Sequence, residues 1–432
     1  MRRRLLVVAL TACLAAAAPA SARTVPFGFN DATTPHRLDA ARSIGATVGR
    51  FFVCWCDLEP APGRYDFHTL DRIHADFRAH GMRAVVDVVG TPTWAARGCA
   101  GAPQPCLTPP DESRLGRWRE LFRLLALRYP DLYGVEVWNE ANLPYFWKPR
   151  PDVPRYVRLL RAAYRGAKAG NRRLPVIAGA LCLCGGIRGT NSLADFDFLN
   201  RMYRAGARGS FDAIGVHDYP TDYPVIANAR DKLAGMRRVR EHWGDRTPFW
   251  VTEAGISTAL GGTGGHPRLS EDMQAQALVD LYKTLRQMPD VGVILLFRFA
   301  DITGGFTTWE DGMGIVERVD GSAKPAGAAL AAAVRDPTPY RRPPPVRLSA
   351  AARRIRVGQR VAFRVSGWGH DHGGPWVLWD VGGGGFYLST GGRPRLEHSW
   401  SRPGLRRVGV RAGDELDAGE AFVTIRVLPR RR

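Results

Sequence analysis

From Val25 onward the chain alternates short apolar runs with amphipathic stretches, and this beat leaves few folds open. The runs are Val25–Asn30, Thr47–Cys54, Ala84–Val89, Gly134–Asn139, Pro175–Ala180, Ala213–Val216, Phe249–Thr252 and Val291–Phe297. Between them lie Asp71–His80, Glu112–Arg128, Arg155–Ala169 and Glu271–Met288, whose apolar residues recur at helical spacing. Short β-branched runs read as buried strands and the stretches between them as surface helices. Eight such units over roughly 310 residues predict an α/β fold, a (β/α)8 TIM barrel with enlarged loops. A doubly wound sheet would need a Gly-rich first turn, and Phe27-Gly28-Phe29-Asn30 is not one.

The pattern breaks after a last helix over Ala326–Val334. Residues 336–345 form a stiff Pro-rich linker, Asp336-Pro337-Thr338-Pro339 through Pro343-Pro344-Pro345. Beyond it, Val361–Val365, Trp376–Trp379, Leu405–Val410 and Ala421–Leu428 are short alternating strands between Gly turns, the signature of a small all-β immunoglobulin-like sandwich. The expected domains are therefore a catalytic barrel over 23–335, the linker, and a sandwich over 346–432. Charge divides along the same line. The chain carries +20, yet residues 341–432 hold 18 Arg, no Lys and seven acids.

Residues 1–22 read as a secretory signal peptide: Arg2, Arg3 and Arg4, an apolar stretch from Leu5 to Ala18, then Ala20-Ser21-Ala22. The lipoprotein-like Leu10-Thr11-Ala12-Cys13 sits inside the apolar run rather than at its end. Export to a secreted, envelope-associated location is the expectation, with no transmembrane anchor, since the run is short for a bilayer. The six remaining cysteines then read as disulfides. Cys99 and Cys106 bracket a short loop, and Cys54/Cys56 and Cys182/Cys184 are C-x-C pairs whose connectivity spacing alone leaves open. Hydrophobic residues make up 45% and charged residues 24% of the chain, which excludes wholesale disorder and a multi-span membrane protein.

Active sites of such barrels lie where strands end and βα loops begin. The fourth run ends Val135-Glu136-Val137-Trp138-Asn139-Glu140 and the seventh Trp250-Val251-Thr252-Glu253. A barrel aims these two ends into one cleft, and two facing carboxylates are what glycosidic bond cleavage requires. Strand alternation places Glu136, Trp138 and Glu140 on one face, with Glu136 as an inward structural carboxylate that can pair with Arg50.

Trp138-Asn139-Glu140-Ala141-Asn142 with Phe146-Trp147, and Val251-Thr252-Glu253-Ala254-Gly255, resemble the strand-four and strand-seven signatures of clan A retaining glycoside hydrolases. The cellulase-like family five and xylosidase-like family thirty-nine are the nearest kin. Further matching stretches follow in family order. They are Arg50 with Trp55 and Pro60-Ala61-Pro62-Gly63-Arg64-Tyr65, Thr91-Pro92-Thr93-Trp94, and Val216-His217-Asp218-Tyr219-Pro220. The resemblance implies double displacement, with Glu140 as acid/base, Glu253 as nucleophile and Asn139 on the sugar 2-hydroxyl. It also implies that Arg50, His217 and Tyr219 line the nucleophile and keep it ionised. Trp94, Trp138, Tyr145, Trp147 and Trp309 are candidate sugar platforms. Arg298 and Asp301 are candidates for substrate polar groups, and Phe297-Arg298-Phe299 departs from the Trp this clan often carries there.

In the basic module, Trp379-Asp380-Val381-Gly382-Gly383 and His398-Ser399-Trp400 resemble a PKD-type immunoglobulin-like domain. Its excess charge suggests an anionic envelope polymer as partner, by screened attraction. No cofactor, metal or nucleic acid is expected. Gly261-Gly262-Thr263-Gly264-Gly265 lacks the Lys-Ser/Thr of a phosphate loop. His370-Asp371-His372 lies in a Gly-rich loop, and a nucleic-acid-binding motif is missing. An inactive carbohydrate-binding protein on the same fold, or an envelope-docking scaffold, are the rival readings.

Overall fold

A computed structural model describes residues 24–103, 105–184, 190–220, 224–259, 269–303, 307–340, 345–367, 376–382, 388–389, 393–414 and 416–430. The expected leader, the 261–265 glycines and His370-Asp371-His372 lie outside the described residues. Eight strands form the barrel: β1 (Phe27–Asn30), β2 (Val48–Cys54), β3 (Arg83–Val89), β4 (Gly134–Val137), β5 (Val176–Cys182), β6 (Ala213–His217), β7 (Phe249–Glu253) and β8 (Val291–Leu296). Each pairs in parallel with the next, and β8 closes on β1. Apart from the end of β2, from Phe52 to Cys54, the strands are nearly wholly buried, because helices cover the outside and side chains fill the inside; hence the continuous apolar runs in the sequence.

The helices are α1 (Pro35–Ile44), α2 (Trp55–Leu58), α3 (His68–Ala79), α4 (Leu115–Arg128), α5 (Val153–Gly170), α6 (Asp195–Arg204), α7 (Val225–His242), α8 (Glu271–Arg286) and α9 (Pro325–Arg335). Their starts follow local chemistry. Asp152 accepts from the Arg155 amide at 3.0 Å and Ser270 from the Met273 amide at 3.3 Å, each satisfying an orphan donor of the first turn. At the α4–α5 contact a Cβ on Gly166 would run into the Arg119 carbonyl, so only glycine lets these helices lie so close.

Inside the barrel, Val48, Val85, Ile177, Ala213, Trp250, Val293 and Leu295 form an apolar plug. One period-two step further along the strands stand Arg50, Asp87 and Thr252, so a polar layer rests directly on this plug.

After α9 come β9 (Arg347–Ala350), β10 (Arg354–Arg356), β11 (Val361–Ser366), β12 (Trp376–Asp380), β13 (Leu388–Ser389), β14 (Arg395–His398), β15 (Gly404–Gly413) and β16 (Ala418–Leu428). They make a five-stranded sheet, β10-β16-β15-β12-β13, and a three-stranded one, β14-β11-β9. Val361, Phe363 and Val365 of β11 point inward against Trp379, Val410 and Ile425 of the other sheet, giving this all-β unit its own core. The strands β9, β10, β13 and β14 escaped the sequence reading because they are short and Arg or polar residues interrupt their apolar pattern.

Disulfides join Cys54–Cys56, Cys99–Cys106 and Cys182–Cys184. Two of these bridges stand at the C-terminal ends of β2 and β5, at the rim of the barrel mouth. Among the described residues no helix is long and apolar enough to cross a membrane.

Candidate active site

The site is organised around one guanidinium. Arg50 on β2 is fully buried, and all five of its N–H donors are used. Nε donates to Glu136 at 2.7 Å, Nη1 to Asn30 at 2.9 Å and Glu253 at 2.7 Å, and Nη2 to Asp87 at 2.8 Å and Asn139 at 3.1 Å. These partners come from the ends of β1, β3, β4 and β7, so a single planar fork fixes the tops of four other barrel segments. Glu136 is completed by the Thr252 hydroxyl at 3.0 Å, and its position requires Gly215, where a Cβ would strike the carboxylate. The expected Glu136–Arg50 pair is therefore present.

One positive charge faces three carboxylates here, of which Asp87 and Glu136 stand directly opposite each other in register. Burial outweighs the single cation. Desolvation pushes Asp87 well above the ordinary carboxylate range and raises Glu136, so the layer retains protons where exposed acids would not.

Glu253 and Glu140 sit above this layer in unlike surroundings. Glu253 accepts from Arg50 and, at 2.6 Å, from the Tyr219 hydroxyl. Burial raises it to about 7 against the pull of Arg50 and Tyr219. Glu140 has no cation bonded to it; burial first, and then the Glu253 charge, raise it well above its ordinary value. His217 Nδ1 lies 2.8 Å from Glu140 and 3.3 Å from Glu253, bridging the two. Burial and the nearby Arg50 hold this imidazole neutral. Glu253 thus ionises first and Glu140 keeps its proton longer. A carboxylate oxygen of Glu140, one of Glu253 and a ring nitrogen of His217 all lie within 4.8 Å of one another.

The backbone around the cleft is bent to achieve this. Among the described residues the non-glycine positions with positive φ are Asp31 (64°), Trp138 (69°), Glu140 (38°) and Ala180 (42°), each just beyond or within the end of a barrel strand. Such conformations cost about 1–3 kcal/mol each and persist where packing over-determines them. The Glu140 amide donates to the Ala180 carbonyl at 3.0 Å, inside a bulge of β5 between Ala178 and Leu181, so one irregularity seats the other. This corrects the alternation argument. β4 ends at Val137, and Trp138 turns outward to pack on Trp118 and Trp147, while Glu136 points inward.

The remaining candidates divide. Asn139 accepts from Arg50 Nη2 with its Oδ1, which leaves the amide nitrogen as its side-chain donor. Trp309 packs edge-on against Tyr219 with centroids 5.3 Å apart and lines a crevice with Gly255, Ile256 and Met313. Half-buried Trp94 is held by its indole N–H on the Glu59 carbonyl at 3.0 Å. Tyr145 is 67% exposed on the loop after β4. Arg298 pairs with Asp31 at 3.3 Å beside the mouth.

Three candidates are corrected. Trp138 is fully buried, its indole N–H bonded to the Phe146 carbonyl at 2.7 Å, and offers no platform to a sugar. Trp147 is 1% exposed, wedged between Trp138 and Tyr156, and presents no open face to a sugar. Asp301 is spent on buried Lys324 at 3.2 Å and the Gly314 amide at 2.7 Å, and serves the loop after β8.

Sequence reasoning passed over Asn30, Asp87, Thr252 and Phe52. Asp87 left a signal, an acid inside Val85-Val86-Asp87-Val88-Val89. Phe52 shares the inward parity of Arg50, has its ring centroid 4.7 Å from the guanidinium carbon, and is 38% exposed because it faces the open cleft.

Glu140, His217 and Glu253 form a donor set that a divalent cation can use. Both Glu253 oxygens are already bonded to Arg50 and Tyr219, and Glu140 holds its proton tightly, so the present state of the triad suits proton transfer better than ligation.

No family model matches the chain. A β-xylosidase of Geobacillus stearothermophilus is 28% identical over 170 residues, 37% of this chain. The chain covers 32% of that relative's length. A family 39 glycoside hydrolase from Bacteroides cellulosilyticus superposes with a TM-score of 0.58 at 18% identity, covering 87% of this chain and 81% of that one. A monomeric β-xylosidase from Caulobacter crescentus gives a TM-score of 0.56 at 15% identity, over 93% and 94% of the two chains. At these identities the likeness is one of fold.

Proposed function

We propose that the protein is a retaining glycoside hydrolase of clan A type that cleaves O-glycosidic bonds of a poly- or oligosaccharide. The observation that carries this reading is the pair Glu140 and Glu253, with oxygens within 4.8 Å of each other and unequal surroundings. Retaining enzymes hold their carboxyl groups about 5–5.5 Å apart, whereas inverting ones leave room for a water at roughly 6.5–9.5 Å. Glu140 protonates the glycosidic oxygen as the bond to the anomeric carbon breaks, and ionised Glu253 attacks that carbon from the other face. Glu140, now a carboxylate, takes a proton from water, whose oxygen displaces Glu253 and restores both groups. Arg50 and Tyr219 hold the nucleophile's two oxygens, and in this reading the Asn139 amide nitrogen donates to a hydroxyl beside the anomeric carbon. The β-xylosidase and family 39 likenesses support the class of reaction.

A panel of aryl glycosides and polysaccharides, followed by NMR of the first-formed anomer, tests the reading. Retained configuration supports it. Carbohydrate binding without bond cleavage across the panel, or an inverted product, overturns it.

The leader-like residues 1–22 and three disulfides support export into an oxidising compartment. The two-sheet unit, with Trp379 and Trp400 in its core, supports the PKD-type reading. Exposed Arg364 stands opposite exposed Arg395 across β11–β14, and exposed Arg354 opposite exposed Arg426 across β10–β16. Like charges directly opposite are destabilising until an anion neutralises them, which suits an acidic envelope polymer. Retention on an acidic polysaccharide that vanishes between about 0.1 and 1 M salt supports this role, because the Debye length falls from about 10 to 3 Å. Retention that persists in 1 M salt refutes it.

A further inference from the structure

The tip of the β15–β16 hairpin reaches beyond its own sheet and packs against the helical layer of the barrel. The Asp414 carboxylate accepts the Leu416 and Asp417 amides, each at 2.9 Å, and the Asp414 amide donates to the Asp417 carbonyl at 3.1 Å. This fixes the turn. Leu416, 2% exposed, belongs to the apolar core of the barrel rather than to that of the β unit.

The tip meets α7 in three ways. The Leu416 carbonyl accepts the Ile226 amide at 2.8 Å, in the first turn of a helix whose N-cap, Pro224, offers no side-chain acceptor. An orphan N–H of α7 is therefore satisfied from the other unit. The Asp417 carboxylate, 4% exposed, pairs with Arg230 of α7 at 3.4 Å and accepts the hydroxyl of linker residue Tyr340 at 2.9 Å. Leu416 supplies the apolar contact.

On the same helix Lys232 donates to the backbone carbonyl of Tyr219. Tyr219 in turn donates its hydroxyl to Glu253 at 2.6 Å. One helix is thus held by the β unit at one place and holds a residue of the cleft at another.

We infer that the hairpin tip is a positioning element for the candidate site: Leu416 and Asp417, seated on α7, set the helix so that Lys232 holds Tyr219 against Glu253. The β unit is then a brace of the catalytic barrel and more than a tethered spacer. The kinetic arm of the test rests on the glycosidase reading; the structural arm does not.

The test uses the full chain with Leu416→Asp and Asp417→Asn, and Leu405→Ala as control, since Leu405 is 62% exposed elsewhere on the same hairpin. Amide hydrogen exchange is followed in peptides covering α7 and the end of β6, alongside kcat and KM on an aryl glycoside. Both tip variants should speed exchange there by about tenfold or more, the size expected on losing a charge-assisted bond and its capping contact. They should also lower kcat up to roughly 100-fold through misplacement of a group remote from the substitution, with KM little changed. The control should do neither. If Leu416→Asp fails to fold, Asp417→Asn carries the test. Unchanged exchange around α7 in the folded tip variants overturns the inference. Accelerated exchange in a protein inert on every glycoside leaves the brace standing and removes only the glycosidase reading.

Discussion

Arg50→Lys is the most informative single change, because the structure fixes what it removes. The guanidinium makes five hydrogen bonds, three of them to the carboxylates of Glu136, Glu253 and Asp87. An ammonium has three donors on one nitrogen, so at least two acceptors in a fully buried layer lose their partner. At about 1.5–3 kcal/mol for each bond to a charged group, two such losses come to about 3–6 kcal/mol. Breaking a buried pair by removing one partner falls in the same range, at about 3–5 kcal/mol. Urea unfolding should show a lowered midpoint with unchanged m-value, which assigns the loss to the native state. The variant should also move the acidic limb of kcat/KM to higher pH, since a carboxylate with fewer donors holds its proton more tightly. A variant within about 1 kcal/mol of the parent, with its acidic limb unmoved, would refute the idea that Arg50 organises the site.

Four further outcomes are expected. Activity should be bell-shaped in pH, rising as Glu253 ionises near pH 7 and falling once Glu140 loses its raised proton; kcat/KM against pH reads both limbs. Folding stability should decline as pH climbs from 4.5 through about 7, because folded Glu253 binds its proton more strongly than the unfolded chain does. Glu253→Gln should make that part of the urea-midpoint profile shallower, leaving the slope that the raised Asp87, Glu136 and Glu140 also supply, and cut turnover by orders of magnitude. Trp147→Ala should cost about 3–5 kcal/mol as a core truncation and leave KM untouched; a large KM effect in a stable variant would return Trp147 to the binding surface. Phe52→Ala, at a half-open position over Arg50, should instead raise KM several-fold, measured on the preferred glycoside, with a urea midpoint near that of the parent.

The sequence carried the barrel because parallel strands covered on both faces must be apolar nearly throughout, and eight such runs spaced by helices have few other solutions. It carried Glu140, Glu253, Arg50, His217 and Tyr219 as candidates because each stands at a strand end within a recognisable short motif. It did not carry the network. That Arg50 spends all five donors, that Asp87 shares its layer, and that Asn139 faces Arg50 with its oxygen depend on strands far apart in sequence meeting at one axis. The face of Trp138 was misjudged because alternation holds only while the backbone stays extended, and positive φ at Trp138 and Glu140 ends it. Trp147 was misjudged because an aromatic beside a motif looks the same whether helices cover it or not. The hairpin tip shows the limit most clearly. The segment that carries it lies between the runs Leu405–Val410 and Ala421–Leu428 and no motif singles it out, since hydrophobic pattern reports burial within an element and is silent about which neighbour buries it. The chain's local chemistry determined its elements and where acids would end them. Long-range packing alone decided which acid keeps its proton and what holds the other in place, because both depend on desolvation and donors supplied by residues distant in sequence.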